Sequence, residues 1–89
     1  MNVLIADDNA TSCKLLRAVL EAEGHEVIEA ADGLEALELL ERQPVNAIIA
    51  DLLMPNLDGY RLCREVRQND RWRAIPFICY TAIYGSAND

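Results

Sequence analysis

Residues 45–55 read Val45-Asn46-Ala47-Ile48-Ile49-Ala50-Asp51-Leu52-Leu53-Met54-Pro55. An unbroken apolar run, with no polar alternation, marks a strand buried on both faces of a parallel sheet. This run ends on a carboxylate and passes into a turn closed by Pro55. Working back toward the N-terminus, Val3-Leu4-Ile5-Ala6 has the same character and ends on the pair Asp7-Asp8. In open α/β sheets, ligands bind just beyond the carboxyl ends of the strands. The chain therefore puts three acidic side chains where such folds carry their chemistry.

Between and beyond these runs the pattern alternates. Asn9 to Thr11 offers capping side chains, followed by Cys13, Leu16, Val19 and Leu20 at helical spacing, with Gly24 as a helix stop. His25 to Ala30 supplies a second strand. Asp32-Gly33 opens a second helix presenting Ala36, Leu37 and Leu40, in which Glu38 and Arg42 have the spacing of an ion pair; Pro44 ends it. Asp58 caps a third helix with Leu62, Cys63 and Val66 inward. Asn69 to Ala74 is polar and loop-like, and Pro76 opens a fourth strand, Phe77 to Tyr80, ending at Thr81. The tail from Gly85 has turn composition. Four strands alternating with three helices predict right-handed βαβ crossovers, in an α/β doubly wound parallel sheet covered on both faces. With 89 residues, one domain spanning residues 1–89 is expected.

Composition narrows the function. Fifteen acidic against 8 basic residues give a net charge of −7, which argues against a direct nucleic-acid surface. Arg61, Arg64, Arg67, Arg71 and Arg73 collect positive charge, but Glu65 and Asp70 interrupt it, as on a solvated helix flank. Cys13, Cys63 and Cys79 share no metal-type spacing and lie in apolar patterns, so buried free thiols and a reducing cytoplasm are expected. No apolar stretch approaches membrane-spanning length, and the N-terminus lacks the pattern of a signal peptide. No GxGxxG or GxxxxGK occurs, which disfavours nucleotide-binding folds.

If the first and third strands are neighbours, Asp7, Asp8 and Asp51 converge. Carboxyls of this kind titrate near about pH 4, so all three carry charge at neutral pH and repel one another. A divalent cation removes the conflict, and an all-oxygen set suits Mg²⁺, which keeps several waters that a phosphate can displace. An ionised Asp51 is already a nucleophile able to form an acyl phosphate. The Thr81 hydroxyl, at the end of the fourth strand, can donate to a phosphoryl oxygen. Asp7 and Asp8 have a blander use as acceptors near the N-terminus of the following helix.

Taken together, Asp7-Asp8-Asn9, Asp51-Leu52-Leu53-Met54-Pro55 with Asp58-Gly59, and Thr81-Ala82 resemble the receiver domain of two-component response regulators, in order and spacing, through the whole chain. The resemblance implies a flavodoxin-like fold with strand order 2-1-3-4-5. It implies that Asp51 is the phosphoacceptor for a phosphoryl group carried by a sensor histidine kinase or phosphotransfer protein. It implies that Asp7, Asp8, Asp51 and the backbone carbonyl of Leu53 hold Mg²⁺, that Thr81 is the switch hydroxyl, and that the Ala82 N–H faces the phosphoryl group. Such a module assists its own phosphorylation and turns over no separate metabolite.

The sequence also departs from that pattern. The fifth strand, the last helices and the lysine that ends the fifth strand have no counterpart, since Lys14 is the only lysine. A receiver truncated after its fourth strand is the expectation, with impaired phosphorylation. Its fourth strand is then an open apolar edge and part of the first helix is uncovered, favouring self-association through that strand or by exchange of elements. Leu53 and Ile83, two positions beyond the phosphoacceptor and the switch hydroxyl, suggest slow dephosphorylation. The competing reading is a degenerate receiver used only for dimerisation or docking. An aspartate-nucleophile phosphatase fits less well, because the adjacent Asp7-Asp8 lacks the Asp-x-Asp spacing of those enzymes.

Overall fold

Three helices begin on side chains that accept a hydrogen bond from their own first turn. Asn9 caps α1 (Ala10–Ala22) through the Ser12 N–H, Asp32 caps α2 (Gly33–Arg42) through that of Glu35, and Asp58 caps α3 (Gly59–Gln68) through that of Arg61. Four strands alternate with them: β1 (Asn2–Ala6), β2 (Glu26–Ala30), β3 (Ala47–Asp51) and β4 (Phe77–Tyr80). The computed structural model describes residues 1–81. The strands form one parallel sheet in the order β2-β1-β3-β4, the order that the resemblance to receiver domains implies. Gly24 closes α1 with φ of +87°, a conformation that an L side chain rarely adopts.

The pleat divides the sheet's residues between two faces. Leu4, Ala6, Ile48 and Ala50 pack with Ala36 and Leu40 of α2 and Leu62 and Val66 of α3. Val3 and Ile5, also buried, alternate with them and face the other way, where α1 packs over β1 and β2. Leu4, Ile5, Ile48, Leu62 and Val66 are wholly or almost wholly buried, so the middle of the sheet is the core.

Several side chains depart from expectation. Val19, which has core spacing, is 64% exposed, as is Leu15 one turn earlier; that part of α1's apolar surface is uncovered agrees with the expectation for the first helix. Cys13 is buried, but Cys63 is half-buried and Cys79 exposed, because β4 is paired only with β3 among the described residues. Glu38 and Arg42 make no ion pair; on the same side of the molecule Glu41 instead takes a two-oxygen contact from Arg71. Trp72, in a segment that reads as polar loop, is buried and joins the α2–α3 core, with the Arg71 guanidinium 5.0 Å from its ring centroid. Arg67 donates to the backbone carbonyls of Arg73 and Ile75 and so pins the approach to β4. Of the arginine-rich flank, Arg67, Arg71 and Arg73 are thus engaged with the protein's own groups, Arg73 through Asp70.

Candidate functional site

Both central strands end in the same local chemistry. At the end of β1 the Asp7 N–H donates to the Ala30 carbonyl of β2 (3.0 Å), and Asp7 Oδ1 accepts the Asn9 N–H (2.8 Å). A carboxylate that binds the backbone N–H two residues on makes an Asx-turn, which ends a strand without leaving the donor unpaired. At the end of β3, Asp51 Oδ1 accepts the Leu53 N–H at 3.1 Å, the same device. The Leu52 N–H continues the ladder onto the Tyr80 carbonyl (2.8 Å), and the Leu52 carbonyl accepts the Gly59 N–H (3.1 Å), bringing the start of α3 against the end of β3. A side chain at Gly59 would collide with the Asp51 carbonyl and come within 2.9 Å of the Leu52 Cα, so glycine is needed for this approach.

Because β1 and β3 are neighbours, the acids meet. Asp7, Asp8 and Asp51 each offer an oxygen within 4.8 Å of the others. Asp7 and Asp51 are only 3% and 5% exposed, whereas Asp8 is exposed. Burial pushes the Asp51 carboxyl above its ordinary range; the Leu53 N–H pulls the other way, and the nearby Asp7 and Asp8 charges add to the rise. A cleft of about 290 Å³ opens beside the cluster, walled by Asp7, Asp8, Ala10, Glu29, Ala30, Ala31 and Glu35. The donor set is oxygen only, close and negatively charged, which suits Mg²⁺ and not zinc.

The other expected residues are placed less completely. Leu53 is 68% exposed beside the cluster. Thr81 directly follows β4 and is exposed, with the register pairing Asp51 with Tyr80 just before it. Ala82 and Ile83 lie outside the described residues. Lys14 sits on the exposed side of α1.

Two contacts escape a reading of the sequence. The Cys13 thiol donates to the Asp7 carbonyl at 3.3 Å. Its pKa is pushed up to about 11, by burial first and then by the Asp7 charge, which makes it an inert thiol. The Tyr80 hydroxyl donates to Asp7 Oδ2. Burial, reinforced by this carboxylate, holds the phenol well above its ordinary value. The only sequence signal for Tyr80 is a hydroxyl-bearing aromatic at the end of an otherwise apolar strand.

A family model for the response regulator receiver domain matches residues 3–88. The chain belongs to this family. It is 41% identical over 81 residues to a probable transcriptional regulator, ycf27, of Porphyridium aerugineum, covering 91% of this chain and 32% of that protein. Among solved structures, the signal receiver domain of a signal transduction histidine kinase from Syntrophus aciditrophicus superposes with a TM-score of 0.88 at 34% identity, covering 96% of this chain and 64% of that one. The receiver domain of sensor histidine kinase PA1611 from Pseudomonas aeruginosa gives 0.85 at 37% identity, covering 91% and 66%; its crystal structure holds a magnesium ion in the active-site cleft. The chain thus spans about a third of the regulator's length and about two thirds of these receivers. Receiver domains are phosphoacceptors and not metabolic enzymes. Among the described residues no helix is long and apolar enough to cross a membrane.

Proposed function

We propose that residues 1–89 act as one receiver unit in the cytoplasm, in which Asp51 accepts a phosphoryl group from the phosphohistidine of a sensor histidine kinase or phosphotransfer protein. The observation that carries this reading is the meeting of three carboxylates at adjacent strand ends, with Asp51 held by its Asx-turn. Asp7, Asp8, Asp51 and the Leu53 carbonyl are the ligands for Mg²⁺, which when bound offsets charge on the phosphoryl oxygens. An Asp51 carboxylate oxygen attacks phosphorus. The new O–P bond forms as the N–P bond breaks, and the imidazole nitrogen keeps the electron pair. The Thr81 hydroxyl and the Ala82 N–H then donate to the phosphoryl oxygens, and this contact moves the end of β4 to alter a partner surface. A second copy is a further partner: β4 offers an unpaired edge in the described sheet, and Ile78 on it is 57% exposed.

Treatment with acetyl phosphate and Mg²⁺, followed by intact-mass analysis, tests the central claim. One phosphoryl group should be added, and Asp51→Asn or removal of the metal with EDTA should abolish the addition. Modification that survives Asp51→Asn refutes the assignment. Failure to modify the chain or bind a phosphate analogue, with the metal present, favours a docking module instead.

A further inference from the structure

Three carboxylates that share one small volume need donors to hold them in place. Asp8 is exposed and makes no protein hydrogen bond among the described residues, so it is free to turn. Asp51 is held through one oxygen by the Leu53 N–H. Asp7 is held through both: the Asn9 N–H binds Oδ1 and the Tyr80 hydroxyl binds Oδ2. Two donors on the two oxygens fix the plane of the carboxylate, which a single donor does not.

We infer that Tyr80 is a positioning residue for the metal site, which sets the Asp7 carboxylate in the orientation that receives the cation. This rests on the magnesium reading of the acidic cluster above.

The placement is specific. Tyr80 is the last residue of the sheet's described edge strand and only half-buried. A phenol there has water available and usually keeps its polar end wet. Here it is turned across β3 to reach an almost fully buried acid just past the end of β1, the next strand but one. An ionised carboxylate has about four acceptor positions, so Asp7 can hold both donors and still ligate a cation. The tyrosine therefore does not compete for the lone pair that the metal uses. Partners of this kind, behind a ligand, typically change metal affinity by about 10- to 100-fold when removed.

The experiment is calorimetric titration of the 89-residue chain with Mg²⁺ alone, for the unmodified protein, Tyr80→Phe, Asp7→Asn and the double variant. Tyr80→Phe keeps the ring and its packing and removes only the hydroxyl. Affinity should fall at least 10-fold, the lower end of that range, with the thermal midpoint of the metal-free protein little changed. In the Asp7→Asn background the same substitution should have almost no further effect, because the tyrosine acts through Asp7. Affinity within threefold of the unmodified protein, or tighter, overturns the inference, and so does an equal loss in both backgrounds. A measurement without substitution stands beside these: saturating Mg²⁺ should shift the Tyr80 ring Cζ and the Asn9 amide resonances together, and a Tyr80 signal that does not move refutes the coupling. If the unmodified chain binds no Mg²⁺ at all, the magnesium reading itself fails, a result distinct from binding that ignores Tyr80.

Discussion

Asp32 shows how much one carboxylate does in this fold. Its Oδ1 caps α2 through the Glu35 N–H (2.8 Å), and its Oδ2 accepts the Asn56 side-chain amide (2.6 Å). Asn56 sits at φ of +67°, a left-handed conformation that asparagine tolerates better than most residues. The Asp32 carboxyl is held below its ordinary value, first by the Glu35 N–H and then by Asn56. A depressed acid contributes stability that is present above its unfolded pKa of about 4 and lost as pH falls through its folded value. Asp32→Ala should therefore cost about 1 kcal/mol at neutral pH, the usual worth of such a cap. Urea unfolding of both proteins at several pH values checks this: the gap should shrink below about pH 4. A gap that stays constant down to strong acid would show that the charge plays no part. At this scale the acids of the site were readable from their place at the ends of apolar runs. Tyr80 was not, because a contact between β4 and β1 depends on sheet order and ring direction, which local pattern does not carry.

Elements are set against one another by close backbone approach as much as by side-chain packing. Gly33 at the start of α2 donates to the Leu57 carbonyl at 3.1 Å, and Gly59 at the start of α3 lies against the β3 end. A methyl group at Gly59 meets backbone on Asp51 and Leu52, which cannot swing aside as a side-chain tip can. Gly59→Ala is expected to destabilise by about 1–3 kcal/mol, the range for overpacking. The check is a lower urea midpoint with unchanged slope, which marks lost stability without loss of cooperative unfolding. An unaltered midpoint would mean that the α3 start can slide outward at no cost. The caps Asn9, Asp32 and Asp58 make helix starts legible, and the apolar run after Pro76 marks the fourth strand, whose pairing covers Phe77–Tyr80 and stops short of Thr81. Nothing in the sequence marks Trp72 as a core residue, because it lies among Asn69, Asp70, Arg71 and Arg73, where no periodicity marks a buried position. Val19 has the spacing of a core residue but lies with Leu15 on a flank of α1 that the described elements leave exposed, while Leu16 and Leu20 beside it are half-buried, and spacing alone does not tell the two flanks apart.

At the scale of the whole molecule, the described elements leave half of the sheet uncovered on the α1 face. Phe77 packs toward the α2–α3 core, so Ile78, its neighbour on the pleated strand, points to the face of α1. There α1 covers β1 and β2, while Ile78, Leu15 and Val19 remain exposed. An apolar edge strand with unpaired backbone groups is a template for another chain. Opposing this, each copy carries a net charge of −7, and two such molecules repel. Screening sets the balance: the Debye length falls from about 30 Å at 0.01 M to about 10 Å at 0.1 M ionic strength. Association should therefore be weak at low salt and strengthen as salt rises, the reverse of a complex held by opposite charges. Ile78→Lys should abolish it, since an edge lysine adds a charge that must stay solvated at the seam. Sedimentation velocity across a concentration and salt series measures both effects. A monomer at every concentration and salt level, or a dimer indifferent to Ile78→Lys, would show that the seam through β4 is not used.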